Sequence, residues 1–308
     1  MKDERHKRQM TTPIHRKLGG INEVYAGNMF IKSHQNYEES KAVLYGMPMD
    51  WTVSYRPGQR FGPARVREVS IGLEEYSFYL DRELGDVPFF DAGDIPLPFG
   101  NAEKSLAEIK TFVRKVLADG KVPIGLGGEH LVSLPVMEAV YEKYPDLAVI
   151  HFDAHTDLRT DYEGEQYSHA TPIRKIADTI GPQNVYSFGI RSGLKEELQW
   201  AKENGMHISL FEVFEPLKEI LPTLKGRPVY VTIDIDVLDP AHAPGTGTVD
   251  AGGITPKELL ASIHEIARSQ VDVVGFDLVE VAPVYDHSDI TVNTAAKLIR
   301  EMILGWVK

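Results

Sequence analysis

The chain has 308 residues, 43% of them hydrophobic and 25% charged, a composition that supports a soluble globular protein with a large core. It carries no cysteine, which excludes disulfides, thiolate nucleophiles and zinc–thiolate sites and fits a cytoplasmic protein. A formal net charge of −12 argues against nucleic-acid binding and is compatible with a cationic substrate; no membrane span or secretory signal is expected, because no run of about 20 apolar residues and no apolar N-terminal core exist.

Residues 1–20 read as a basic arm, with Lys2, Arg5, Lys7, Arg8, Arg16 and Lys17 against Asp3 and Glu4. Little apolar periodicity is present there, so a disordered tail is expected, with a targeting or contact role as the alternative. From about Lys41 onward, short apolar runs predict strands over 42–45, 87–90, 122–126, 147–153, 185–190, 207–210, 229–234 and 271–277. They are rich in Val, Ile and Phe and nearly continuous in apolar character, as for strands buried on both faces. Helical patterns fall between several of them, over 105–117, 134–144, 194–204, 216–224 and 256–268. Thr255, Pro256 and Glu258 read as a helix start. This alternation predicts an α/β fold, a parallel sheet covered by helices on both faces. No repeat or linker follows residue 20, so residues 21–308 read as a single domain.

In open parallel sheets, ligands bind beyond the carboxyl ends of the strands. Four predicted strand ends carry chemistry. Gly125-Leu126-Gly127-Gly128-Glu129-His130 ends an apolar run in glycines that allow tight turns, followed by a histidine. Alone, such a histidine is more often structural. Asp153-Ala154-His155-Thr156-Asp157 follows the next run. In extended backbone, side chains at i, i+2 and i+4 share a side, so its two carboxylates and imidazole can converge. Groups aimed together in this way repel or desolvate one another unless a cation is present; a solvated polar loop is the alternative. Asp234-Ile235-Asp236 ends a third run, and Asp239 and His242 in the turn-rich stretch beyond it read as loop-fixing residues. Asp277-Leu278-Val279-Glu280 ends the last, where a cap or surface role is the alternative for its carboxylates.

Together these supply six candidate metal ligands, His130, Asp153, His155, Asp157, Asp234 and Asp236, with a further carboxylate to spare. Two imidazoles and four carboxylates without sulfur suit manganese or magnesium, the imidazoles tilting toward manganese, with zinc, iron or cobalt left open. Four carboxylates balance two divalent cations in formal charge. A water between such cations would be acidic enough to supply hydroxide near neutral pH.

At these residues the chain resembles the ureohydrolase family of arginases, agmatinases and their relatives. The resemblance rests on Gly127 to His130, on Asp153 to Asp157, on Thr232 to Asp236 followed by Asp239-Pro240 and Pro244-Gly245-Thr246-Gly247, on Gly252-Gly253, and on Glu280-Val281-Ala282-Pro283. It covers nearly the whole chain after the arm. Arg56-Pro57-Gly58 with Arg60-Phe61-Gly62-Pro63 is similar to the bacterial-type agmatinase branch. Glu129 departs from the arginase pattern, which usually has Asp there, at a position that is not a ligand in the family.

The resemblance implies a three-layer α/β/α sandwich with an eight-stranded parallel sheet, arginase-like, in which residues 21–308 form one catalytic domain. It implies two Mn2+ per subunit. One would be held by His130, Asp153, Asp157 and Asp234, the other by His155, Asp153, Asp234 and Asp236, with Asp153 and Asp234 bridging and Asp153 thereby a partner of the bridging hydroxide. Glu280 would grip a guanidinium and His169 would shuttle protons. The implied reaction converts agmatine to putrescine and urea, feeding polyamine biosynthesis. A homo-oligomer, trimeric or hexameric, is the family expectation.

The segment from Arg159 to Ser168 bears on the substrate. Asp161, Glu163 and Glu165 against Arg159 give it a formal charge of −2. Such a loop is expected to attract the amine of agmatine and to disfavour a carboxylate. Arg159 keeps 4-guanidinobutyrate or arginine open, and the acids pointing to solvent is the alternative. A single-zinc deacetylase or a non-catalytic binding protein on the same fold are the competing readings, and the filled ligand set argues against both.

Overall fold

The computed structural model describes Ile14–Arg16, Val24–Ala26, residues 28–34 and residues 36–308. The apolar runs become eight parallel strands: β1 (Ala42–Met47), β2 (Phe89–Asp94), β3 (Val122–Gly127), β4 (Ala148–Phe152), β5 (Val185–Ile190), β6 (His207–Leu210), β7 (Pro228–Asp234) and β8 (Asp272–Val279). They lie in the order β2-β1-β3-β8-β7-β4-β5-β6. Outside β2, Val24–Ala26 and Ile14–Arg16 add two antiparallel strands. Of the expected arm over residues 1–20, all but Ile14–Arg16 lies outside the described residues.

Among the described residues, eight α-helices accompany the sheet: α1 (Gly62–Ser70), α2 (Ala102–Ala118), α3 (Ser133–Lys143), α4 (Pro172–Ile180), α5 (Lys195–Glu203), α6 (Phe214–Ile220), α7 (Pro256–Arg268) and α8 (Ile290–Trp306). Alternation along each strand feeds two cores. In β4, Val149 faces the helices α2 to α5, packing with Phe112, Val136, Ile176 and Ala201. Its neighbours Ala148 and Ile150 face α1, α6, α7 and α8, with Val66, Leu217, Ile263 and Ile299. The result is a three-layer α/β/α sandwich. Truncating one of the larger of these buried side chains, such as Phe112, Ile150 or Leu217, to alanine costs about 2–5 kcal/mol. The start of α7 is as the sequence predicts: the Thr255 hydroxyl accepts from the Glu258 N–H at 3.2 Å, with Pro256 in the first turn.

Two expectations need correction. β8 runs on to Val279, so Asp277 sits inside the sheet and not at its edge. Its buried carboxylate accepts the Tyr230 hydroxyl at 2.6 Å, which leaves Glu280 as the carboxylate that β8 delivers to the edge. The strand over 147–153 stops at Phe152. Among the described residues, no helix is long and apolar enough to cross a membrane.

Candidate active site

β3, β8, β7 and β4 are consecutive in the middle of the sheet, and their carboxyl ends open on one cavity of about 430 Å³. After β3 the backbone turns at Gly128, whose N–H donates to Met47 O and whose carbonyl accepts from the Glu280 N–H, both at 2.8 Å. A Cβ on Gly128 would lie 1.9 Å from Met49 O, so the close approach needs glycine. The turn carries His130 beneath the cavity.

His130 Nδ1 lies 3.0 Å from Asp153 Oδ2, 3.1 Å from Asp157 Oδ2 and 3.3 Å from Asp234 Oδ2. It is buried and makes no hydrogen bond to any of them. The other ring nitrogen, Nε2, is engaged by Thr232 Oγ1 at 3.0 Å. An imidazole with one nitrogen anchored and the other converging unbonded on three carboxylate oxygens has the arrangement of a metal ligand with its orienting partner. On the other side, His155 Nδ1 lies 3.1 Å from Asp236 Oδ2 and 3.4 Å from Asp153 Oδ1. Asp153 therefore turns one oxygen to each histidine. Two groups of donor atoms lie close together, His130 with His151, Asp153 and Asp157, and Asp153 with His155 and Asp236, while Asp234 joins them through its contact with His130; the set fits divalent cations.

The route to convergence differs from the extended spacing the sequence suggested. Asp153 to Asp157 is a loop, His155 bridges to Ser192, and Asp157 adopts a left-handed backbone at φ 51° that swings its carboxylate back to His130. Asp234 ends β7 and caps the next turn, its Oδ1 accepting from the Asp236 N–H at 2.9 Å. Asp236 Oδ1 accepts from the Ala154 N–H at 3.1 Å. Asp239 fixes its loop as expected, accepting from the N–H groups of Ala241, Gly252 and Gly253.

Burial dominates the electrostatics. It pushes the Asp234 carboxyl well above the usual carboxylate range, with the charges of Asp236 and Asp153 adding to the effect. Burial also works against a proton on His130, but the Asp153, Asp157 and Asp234 carboxylates outweigh it and hold the imidazole well above its ordinary value. Such mutual dependence is what bound cations relieve.

Glu280 lies in the cavity wall at φ 64°, again left-handed. Its Oε1 accepts from the His130 N–H at 2.7 Å and its Oε2 from Gln59 Nε2 at 2.9 Å. Burial, with Glu129 and Asp236 nearby, pushes its carboxyl up to about 8. His169 lines the same cavity; its Nδ1 meets Thr52 O at 2.8 Å and its Nε2 lies 3.5 Å from Ser54 Oγ. A carbonyl only accepts, so Nδ1 carries the proton and Nε2 is the nitrogen left toward the cavity.

Asp161, Glu163 and Glu165 do not line this cavity; all three are exposed. Asp161 instead accepts from the Gly164 N–H at 3.1 Å, and a turn between Tyr162 and Glu165 directs the acids to solvent. From that segment it is Arg159 and Tyr162 that reach the cavity, Arg159 Nε standing 4.0 Å from Glu197 Oε1. The sequence reading missed Gln59, Thr52, Glu197 and His151. His151 had a signal, since it stands two residues before Asp153, at the spacing that shares a side in the strand expected over 147–153.

Residues 40–305 match the sequence pattern of the Arginase family. The chain belongs to that family. It is 75% identical over 288 residues to an agmatinase of Bacillus subtilis (strain 168), covering 94% of this chain and 99% of the relative. Among solved structures, proclavaminate amidino hydrolase from Streptomyces clavuligerus superposes with a TM-score of 0.85 at 32% identity, covering 92% of this chain and 97% of that one. Agmatine ureohydrolase of Thermoplasma volcanium superposes with a TM-score of 0.82 at 30% identity, covering 92% and 95%. The chain is thus a ureohydrolase-type enzyme acting on C–N bonds, and the arginase-like sandwich expected from the sequence is the fold observed.

Proposed function

We propose that the protein is a binuclear-manganese hydrolase that cleaves the guanidinium of agmatine to putrescine and urea. The observation that carries the reading is the cluster around His130 Nδ1 at the base of a cavity with Glu280 in its wall. His130, Asp153, Asp157 and Asp234 would hold one cation, and His155, Asp153, Asp234 and Asp236 the other. The bound pair supplies an acidified water as nucleophile near neutral pH.

The protein's own residues do the rest. A guanidinium is planar, resonance-stabilised and always charged, so it must be placed to react. Glu280, held by the His130 N–H and the Gln59 amide, offers a carboxylate matched to the N–H fork. His169 keeps its Nδ1–H on Thr52 O, so in the doubly protonated ring Nε2 carries the second proton and would pass it to the leaving nitrogen as the C–N bond breaks. Asp153, with one oxygen toward each half of the cluster, would be shared between the two halves, as would Asp234.

Agmatine as substrate is supported by the 75% identical agmatinase. The test is catalytic efficiency on agmatine, arginine and 4-guanidinobutyrate with manganese present, read as urea release. Agmatine should lead arginine by at least about a hundredfold, roughly 3 kcal/mol. Equal or better use of arginine would overturn the substrate while leaving the metal chemistry standing. One observation favours a second reading: Arg159 lines the cavity whereas Asp161, Glu163 and Glu165 do not, so 4-guanidinobutyrate is the competitor to watch. The Glu197 carboxylate 4.0 Å from Arg159 offsets that cation and keeps agmatine ahead. The wider setting we propose is polyamine synthesis in the cytoplasm by a homo-oligomer, trimer or hexamer, which light scattering would distinguish from a monomer.

A further inference from the structure

We propose that His151, backed by Ser187, is a positioning residue that fixes the orientation of the Asp153 carboxylate and is not itself a metal ligand. The inference rests on the metal reading above. His151 and Ser187 are register partners on the adjacent parallel strands β4 and β5. His151 is fully buried; its Nε2 lies 2.8 Å from Asp153 Oδ2 and its Nδ1 2.9 Å from Ser187 Oγ. A carboxylate only accepts, so Nε2 carries the proton, and Nδ1 then accepts from the Ser187 hydroxyl. Both nitrogens are spoken for, and no lone pair is left for a cation. His130 is the contrast: its Nδ1 has no hydrogen-bond partner and faces three carboxylate oxygens.

The consequence falls on Asp153. Its Oδ2 is tied by His151, and its Oδ1 accepts from the His155 N–H at 2.6 Å. The carboxylate is gripped at both oxygens, with one side of each left toward its own half of the cluster. Without the His151 proton donor only the Oδ1 tether to the His155 N–H remains, the carboxylate can tilt about its Cβ–Cγ bond, and because its two oxygens move together both halves lose alignment. Outer-sphere partners of this kind are worth about 10–100-fold in metal affinity.

The test is calorimetric titration of metal-free protein with Mn2+, with circular dichroism to confirm folding. Wild type should bind two ions. His151→Leu should still bind two, each about 10–100-fold more weakly. His151→Gln, whose amide N–H reaches the same oxygen, should recover most of the affinity, and Ser187→Ala should lose less than His151→Leu. Affinity unchanged in His151→Leu overturns the inference, as does loss of one ion with the other unaffected, the mark of a ligand. A wild type that takes up no metal removes the reading on which this rests, a result separable from either of those. If His151→Leu does not fold, the ring tautomer in the metal-free wild type decides by nitrogen-15 NMR: Nε2–H supports the proposal and Nδ1–H overturns it.

Discussion

Glu280 holds a backbone conformation that a side chain with a Cβ rarely adopts, and it does so directly beside a buried histidine whose N–H it accepts. The strain is tolerable because Gly128 O accepts the Glu280 N–H and Gln59 binds its carboxylate. Glu280→Gln should keep this frame, since the Gln59 amide can flip to present its unpartnered Oε1 to the new amide N–H. What goes is the charge-assisted pairing to the guanidinium, so catalytic efficiency should fall by roughly 2–4 kcal/mol of transition-state stabilisation. Metal content, read by atomic absorption, should stay near wild type; an emptied site would mean that Glu280 is a ligand. His169→Ala should lower kcat more than it raises KM, with an altered limb in the pH–rate profile. An unchanged kcat and profile would remove His169 from the proton path. The residues proposed as ligands stood out in the sequence because hard donors at strand ends have few structural uses. The residues that hold them were not. Gln59 and Thr52 act across more than 70 residues of chain, and only the fold brings them to Glu280 and Glu129.

At the scale of elements, most strands were read closely because both of their faces are buried, which leaves continuous apolar runs bounded by polar residues; β6, at the sheet edge, is only partly buried. β5 and β6 begin and end where the sequence placed them. Three helices were not read. α1 starts within Gly62-Pro63, inside a run of turn formers, whereas α4 carries Ile173, Ile176, Ala177 and Ile180 at helical spacing and was legible in principle. α8 is buried on nearly every side and so has no polar stripe to set its phase. Its burial includes Glu301, whose Oε2 takes His264 Nε2 at 2.9 Å and Ser77 Oγ at 2.7 Å, and whose Oε1 takes Arg300. This tie pins the Tyr76–Ser77 and Arg82–Glu83 hairpin to α7 and α8. Burial opposes the Glu301 charge, but His264, Ser77 and Arg300 outweigh it and hold the carboxyl down at about 2. A depressed carboxylate stabilises the fold fully above its unfolded value of about 4.3, and that contribution is lost as pH falls from there through about 2. Glu301→Gln should therefore lower unfolding free energy at pH 7 by about 2–3 kcal/mol, with the gap to wild type closing in acid. Denaturant curves at pH 7 and pH 3 would show it, and a gap independent of pH would assign the loss to packing instead.

On the scale of the whole molecule, the sheet concentrates negative charge where it is costly. The ends of four central strands gather four buried carboxylates, three of them lining one cavity with Glu280, in a chain of net charge −12. Among the described residues no lysine or arginine is drawn into that cluster: Arg191, on the loop beside it, spends its guanidinium on the carbonyls of Gly189, Asp236, Val237, Leu238 and Asp250. The compensating charge must come from outside, so metal binding and folding stability are linked. Each site filled at a hundred times its dissociation constant adds about 2.7 kcal/mol to stability. Chelated protein should melt lower and be inactive, and Mn2+ should raise the melting temperature in a concentration-dependent way while restoring activity better than Mg2+ or Zn2+. Asp234→Ala separates this from a general salt effect. Removing that carboxylate takes a ligand from the cluster and unbalances its charge, so the variant should show little of the metal-dependent shift and roughly 1% of wild-type turnover or less. Full activity after exhaustive chelation, or an Asp234→Ala protein that shifts with Mn2+ as wild type does, would show that the cluster neutralises itself by protonation and that the cations are not what the fold is built to hold.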